Sequence, residues 1–125
     1  MPVKITLNWS KLFGYENWAD SNIPESAGVY VYLVRQNDSS IKMRYVGICD
    51  NLRTRCQDHM GNSEENECIK TNLAKYAWDF RYALVPIQAD REDAEQALYD
   101  KYKPECNKVR PNGSGRKVPI EIEGL

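Results

Sequence analysis

The strongest pattern in the chain is Val29–Arg35, where β-branched and aromatic residues follow one another without a polar break. That pattern predicts a strand covered on both faces. Gln36–Ser40 is a polar turn cluster, and Lys42–Ile48 follows as a second strand. A short polar turn between two such runs makes an antiparallel hairpin. Asp50 or Asn51 can cap a helix expected to reach Met60 and to end at Gly61. A second helix with an acidic start is expected over Glu64–Tyr76. Asp79–Val85 reads as a third strand, closed by Pro86. Asp90 is then expected to cap a helix over Arg91–Tyr102, which Pro104 stops.

The two ends of the chain are less regular. Within residues 1–22, a short helix is expected over Asn8–Phe13, capped by Asn8 and ended by Gly14. Near the other end, Pro111–Gly115 is a turn, and Val118–Ile122 alternates as a short edge strand or an extended tail. The order ββααβα, without strict alternation, predicts an α+β domain with a small antiparallel sheet. No internal repeat is visible.

Composition narrows the class. A chain of 125 residues with 42% hydrophobic and 28% charged residues is an ordinary single globular domain. No apolar run reaches the roughly 20 residues of a membrane helix, and the N-terminus lacks a signal-peptide pattern. A cytoplasmic location without membrane partners is the default expectation. Cys49, Cys56, Cys68 and Cys106 form no C-x-x-C pair, and His59 is the only histidine. That spacing does not suit a structural zinc site, so reduced, mostly buried thiols are expected. The net charge of −1 is low for a protein that binds nucleic acid. Yet Lys101–Lys117 holds six basic residues against Glu105 alone, while acids gather at Glu64–Glu67 and Asp90–Asp93. Opposite-signed surfaces and simple solvated faces both account for this distribution.

Three spaced clusters carry the chemistry: Gly28-Val29-Tyr30, Tyr45-Val46-Gly47, and Asn51-Leu52-Arg53-Thr54-Arg55 with His59. Downstream, Glu95 precedes Lys101-Tyr102-Lys103-Pro104-Glu105-Cys106-Asn107. Tyrosines on neighbouring strands can lie side by side. Arg55 and His59 share a helix face at i, i+4. Glu95 sits about 100° around the helix from Ala94, at the edge of the buried stripe. Taken singly, these residues are commonplace: packing tyrosines, a solvated arginine, a surface histidine, and a glutamate favoured by a helix start. Together they suit phosphate-ester hydrolysis. One carboxylate anchors a hard divalent cation, an arginine meets developing charge, and a tyrosine or histidine relays a proton.

In order and spacing, the five elements from Ile23 to Asn107 resemble the GIY-YIG nuclease family. The lead-in Ile23-Pro24-Glu25-Ser26-Ala27 is similar to the segment before the first motif in bacterial excision-repair relatives. The resemblance implies a three-stranded antiparallel sheet flanked by helices. It implies a core at residues 23–107, an N-terminal extension at 1–22 packed on it, and a basic extension at 108–125. It also implies an endonuclease that uses Mg2+ or Mn2+ to hydrolyse DNA by in-line water attack, in repair, recombination or restriction. Tyr45 would be the base or water-positioning group, with Tyr30 supporting the surrounding hydrogen bonds. Gly47 would keep the strand end open, and Arg55 would contact the phosphate. His59 matches a position held by histidine or tyrosine, Glu95 the metal ligand, and Asn107 a bracing asparagine. Ile48 stands where several relatives carry lysine, which removes one polar contact to DNA. Lys103, Lys108 and Arg110 are expected to guide the DNA backbone. Only 40 residues separate Arg55 from Glu95, leaving no room for a large insertion. Sequence specificity is therefore expected from the termini, a homodimer or a partner protein. A non-catalytic nucleic-acid-binding or interaction module of the same fold is the competing reading.

Overall fold

The computed structural model describes residues 2–14, 23–35, 40–55, 67–69, 71 and 77–125. Its strands are β1 (Val3–Thr6), β2 (Phe13–Gly14), β3 (Gly28–Arg35), β4 (Ile41–Cys49), β5 (Ala77–Leu84) and β6 (Ile120–Glu123). The long helix is α1 (Gln88–Tyr102), and residues 52–55, 67–69 and 71 are also helical. Most of the two helices expected before β5 lies outside the described residues, as do the hairpin tip, Cys56 and His59.

The sheet is built around β3 because its side chains are apolar on both faces. It pairs antiparallel with β4 on one side and β5 on the other, giving the expected three-stranded antiparallel core. Val29, Val31 and Leu33 point to one face, where Ala94 and Leu98 of α1 cover them. Tyr30, Tyr32 and Val34 point to the other, into an aromatic cluster with Trp78 and Phe80. Strict alternation of side chains along a strand produces this division.

A bulge in β4 decides which residues face the aromatic side. Tyr32 lies opposite Tyr45 and Leu33 opposite Met43, so Arg44 has no partner across the ladder. Two residues apart on an unbroken strand, Met43 and Tyr45 would share a face. The extra residue separates them, sending Met43 to the α1 side and Tyr45 toward Tyr30.

The N-terminal segment departs from expectation. No helix forms over Asn8–Phe13; Trp9 bridges Ala83, and Phe13–Gly14 pairs with β5. Ser10 donates its N–H to the Tyr82 carbonyl at 2.8 Å, and its hydroxyl accepts the Tyr82 N–H at 3.1 Å. A helix of six residues cannot offset its own nucleation cost, whereas the free edge of β5 offers ready partners. The sheet order is therefore β2-β5-β3-β4, with β4 on the outer edge. β1 and β6 form a separate parallel pair, and Ile5 and Leu7 join the core beneath α1.

Two further expectations are corrected. The helix starts earlier than Asp90, with Ile87 at the N-cap position and no side-chain cap. Asp90 and Asp93 instead bind Arg116 of the C-terminal segment at 3.0 and 2.5 Å. Cys68 and Cys106 form a disulfide rather than remaining reduced. Their proximity is tertiary, across 38 residues of chain, and short-range spacing carries no sign of it. At its C-terminal end α1 closes on Lys103, which adopts the left-handed conformation (φ 47°) and donates its N–H to the Tyr99 carbonyl at 2.8 Å. Among the described residues, no helix is long and apolar enough to cross a membrane.

Candidate active site

The site gathers on the aromatic face of the sheet, at the end of β3 and β4. Tyr30 and Tyr45 stack with ring centroids 6.1 Å apart and planes 21° from parallel. Gly47 lies across the ladder from Tyr30. A β-carbon there would run into the Tyr30 phenol oxygen. Gly47 is therefore the space that the Tyr30 ring occupies, a tighter demand than an open strand end.

Arg55 reaches the tyrosines from the helical turn at 52–55. That turn is fixed locally. The Asn51 side chain accepts the Thr54 N–H at 3.0 Å, as a capping residue does. The Leu52 and Arg53 N–H groups donate to the carbonyls of Ser26 and Pro24 at 2.9 and 3.2 Å. Leu52 is fully buried against Gly28, where any β-carbon would meet both Leu52 and the Ala83 carbonyl. The lead-in and the first-motif glycine thus seat the arginine on the sheet.

From this seat the Arg55 Nε–H donates to the Tyr30 hydroxyl at 3.1 Å. Burial opposes the Arg55 charge, but the Tyr30 and Tyr45 hydroxyls outweigh it and hold the guanidinium above its ordinary range. Burial, with the neighbouring Tyr45, pushes the Tyr30 phenol well above the usual tyrosine range. Tyr30 therefore stays neutral and orients Arg55; it is unsuited to act as a base. Tyr45 is only partly buried, and its hydroxyl also bonds to Arg55.

Asn107 braces this corner from the edge of the sheet. Its amide oxygen accepts the Val46 N–H at 2.9 Å and its amide nitrogen donates to the Val46 carbonyl at 2.8 Å. The Cys106 N–H donates to the Arg44 carbonyl at 2.7 Å, and the Arg44 side chain pairs with Glu105. Together these contacts act as a short pseudo-strand on the open side of β4.

Glu95 comes from α1. One end of this helix is tied beyond β4 by Arg91 to Asp50, and the chain leaving its other end is tied to Arg44 and Val46. Hence α1 runs antiparallel to β4, across the face of the sheet formed by β3 and β4. Asp93 and Glu95 lie about 200° apart around the helix, on opposite flanks of its buried stripe. The Asp93 flank is taken by Ser114 and Arg116, and β6 lies beside it. Glu95 is on the other flank, toward the β4 edge. Burial, helped by Glu92, pushes its carboxyl up to about 7. No hydrogen bond or ion pair to another described residue relieves that charge. A half-buried carboxylate without a counter-charge fits a divalent cation, and Glu95 is the residue that would hold one. Among the described residues no group of three His, Cys, Asp or Glu side chains gathers as a ready-made metal cluster.

Tyr30, Tyr45, Gly47 and Arg55 are thus brought together, with Asn107 behind them. Glu95 comes from α1, on the face of the sheet opposite the tyrosine cluster, and it makes no hydrogen bond or ion pair with Tyr30, Tyr45 or Arg55. Of the expected DNA contacts, Arg110 forms a two-pronged pair with Asp100, both bonds at 2.8 Å. Lys103 lies 4.0 Å from Asp100 and over the Tyr99 ring, and Lys108 is exposed. The residue that sequence reasoning missed is Arg91. Its signal was a charged side chain falling on the helix stripe that also carries Ala94 and Leu98.

Comparison with known proteins bears on the family and the fold. The family described as the GIY-YIG catalytic domain matches residues 28–110. UvrABC system protein C of Bacteroides thetaiotaomicron is 33% identical over 87 residues, which is 70% of this chain and 14% of that protein. The Bacteroides fragilis protein of that name is 32% identical over the same shares. The chain therefore spans a small part of these relatives. Among solved structures, the GIY-YIG N-terminal endonuclease domain of UvrC from Thermotoga maritima, with its catalytic divalent cation bound, superposes with a TM-score of 0.54. It is 20% identical, and the match covers 70% of this chain and 89% of that one. Family match, relatives and fold converge, and the chain belongs to the GIY-YIG catalytic-domain family.

Proposed function

We propose that this chain is a divalent-metal-dependent endonuclease that hydrolyses DNA phosphodiester bonds, with Mg2+ or Mn2+ as its cation. The observation that carries the reading is the charged Arg55 guanidinium, held by the Tyr30 hydroxyl at the corner where the Tyr30 and Tyr45 rings stack and the Tyr30 ring packs over Gly47. Arg55 binds a non-bridging phosphate oxygen and stabilises charge as it builds during attack. Tyr45 orients the attacking water and passes its proton onward. Tyr30 stays protonated and keeps Arg55 in line. Glu95 would hold the cation, which when bound would supply positive charge to offset that of the scissile phosphate. His59, four positions after Arg55 in the sequence, is proposed as a proton relay for the same chemistry. Lys103, Lys108 and Arg110 guide the DNA backbone, and a homodimer or partner protein supplies specificity. The setting is DNA repair, recombination or restriction.

A cleavage assay on linear, nicked and branched DNA, with Mg2+ or Mn2+, tests this reading. Cleavage that needs metal and disappears in Glu95→Ala supports it. No cleavage of any substrate favours a binding or interaction module. The near-neutral total charge and the pairing of Arg110 with Asp100 are the features that speak for that module.

A further inference from the structure

Arg91 is a charged residue in the buried stripe of α1, and only 5% of it is exposed. A guanidinium in such a place is costly unless its donors are satisfied. It donates to the Val85 carbonyl at 3.0 Å, the Pro86 carbonyl at 3.1 Å and the Asp50 carboxylate at 3.2 Å. These acceptors come from two segments, the chain after β5 and the turn after β4. The Asp50 side chain is 95% exposed, so its ion pair with Arg91 adds little stability. What it adds is a fixed position. Asp50 directly precedes Asn51, whose side chain caps Thr54 and whose carbonyl accepts the Arg55 N–H at 3.1 Å. On the other side of the clasp, Glu95 follows Arg91 by one helical turn. The Arg91 guanidinium is committed to Val85, Pro86 and Asp50, and it forms no ion pair with Glu95 despite the i, i+4 spacing. The carboxylate is left unpaired while its backbone is held.

We propose that Arg91 is a positioning residue for phosphodiester cleavage, clasping α1 to Asp50, Val85 and Pro86 and so setting Glu95 against Arg55. This inference rests on the nuclease reading. Lysine cannot replace the fork, because one ammonium cannot span two carbonyls and a carboxylate in the same geometry.

The test uses Arg91→Lys and the exposed partner variant Asp50→Ala, which keeps the chain folded if the first does not. Both variants are expected to bind Mn2+ and DNA within threefold of the wild type, yet to cut at least tenfold more slowly in single turnover. Amide hydrogen exchange at residues 51–55 is expected to quicken at least tenfold in each. A purely structural role would lower the melting temperature and leave the cleavage rate of the folded protein unchanged. Cleavage within twofold of wild type, or unchanged exchange at residues 51–55 in Asp50→Ala, overturns the proposal. A wild-type protein that cuts no DNA refutes the nuclease reading instead, and the exchange rates still decide whether the clasp orders the Arg55 turn.

Discussion

Gly47 and Tyr30 face each other across β4 and β3, and the Tyr30 ring lies where any side chain at position 47 would begin. The second-motif glycine therefore acts through the first-motif tyrosine, and through it on Arg55. Gly47→Ala is expected to displace the ring, to cost about 1–3 kcal/mol as an overpacked contact, and to slow cleavage at least tenfold. Thermal unfolding and single-turnover rates check this. Adding Tyr30→Ala to Gly47→Ala should remove the clash and much of the overpacking cost without restoring activity.

Tyr30 holds Arg55 through one hydroxyl. Tyr30→Phe keeps the buried ring and deletes the acceptor. Bonds to charged groups contribute about 1.5–3 kcal/mol, so the cleavage rate should fall about ten- to a hundredfold. Stability should change by less than about 1 kcal/mol, because Arg55 is exposed enough for water to take over. An unchanged rate in the folded variant would contradict the orienting role.

Glu95 makes metal-free stability depend on pH. Its folded carboxyl is pushed up to about 7 from 4.5, so the protonated form favours the fold. That contribution is full below about 4.5 and is lost as pH rises through about 7. Relative to Glu95→Gln, the metal-free wild type should weaken over this window by about 1–2 kcal/mol, allowing for solvent screening of a partly exposed group. Mg2+ or Mn2+ should restore stability to the wild type above pH 7 and leave Glu95→Gln unaffected. Chemical denaturation across pH, with and without metal, measures both effects.

The Cys68–Cys106 disulfide closes a loop of 38 residues and adjoins the Asn107 brace. In the chain-entropy picture such a loop contributes up to about 4 kcal/mol. Reduction, or Cys106→Ala, should lower the melting temperature accordingly and loosen β4 at Arg44 and Val46. Hydrogen exchange at Val46 reports this directly. Asn107→Ala should give the same local loosening in the oxidised protein, because it removes both bonds to Val46.

Much of the site was legible in the sequence, and particular residues show why. The run around Tyr30 read as a strand covered on both faces, and the polar turn put Tyr45 on the neighbouring strand. Ala94 and Leu98 marked the buried stripe of α1, which put Glu95 on its edge. The bulge at Arg44 was not legible, since unbroken pairing would have put Tyr45 on the face of Met43. Nor was β1, because its partner β6 lies at the far end of the chain and neither strand is stable alone. The basic C-terminal stretch read as available charge, yet Arg116 is committed to Asp90 and Asp93, and Arg110 to Asp100. Ion pairs of this kind depend on where the chain returns, which local composition does not encode.

The central claim is that Arg55 and Glu95 act together on a metal-dependent phosphodiester cleavage. The most direct measurement is a Mn2+ titration of single-turnover DNA cleavage by the wild type, Arg55→Ala and Glu95→Ala. Saturable, metal-dependent cleavage is expected in the wild type. Arg55→Ala should bind Mn2+ normally and cut at least a hundredfold more slowly, while Glu95→Ala should lose both metal binding and cleavage. Wild-type rates independent of metal, or cleavage that persists in Glu95→Ala, would contradict the account.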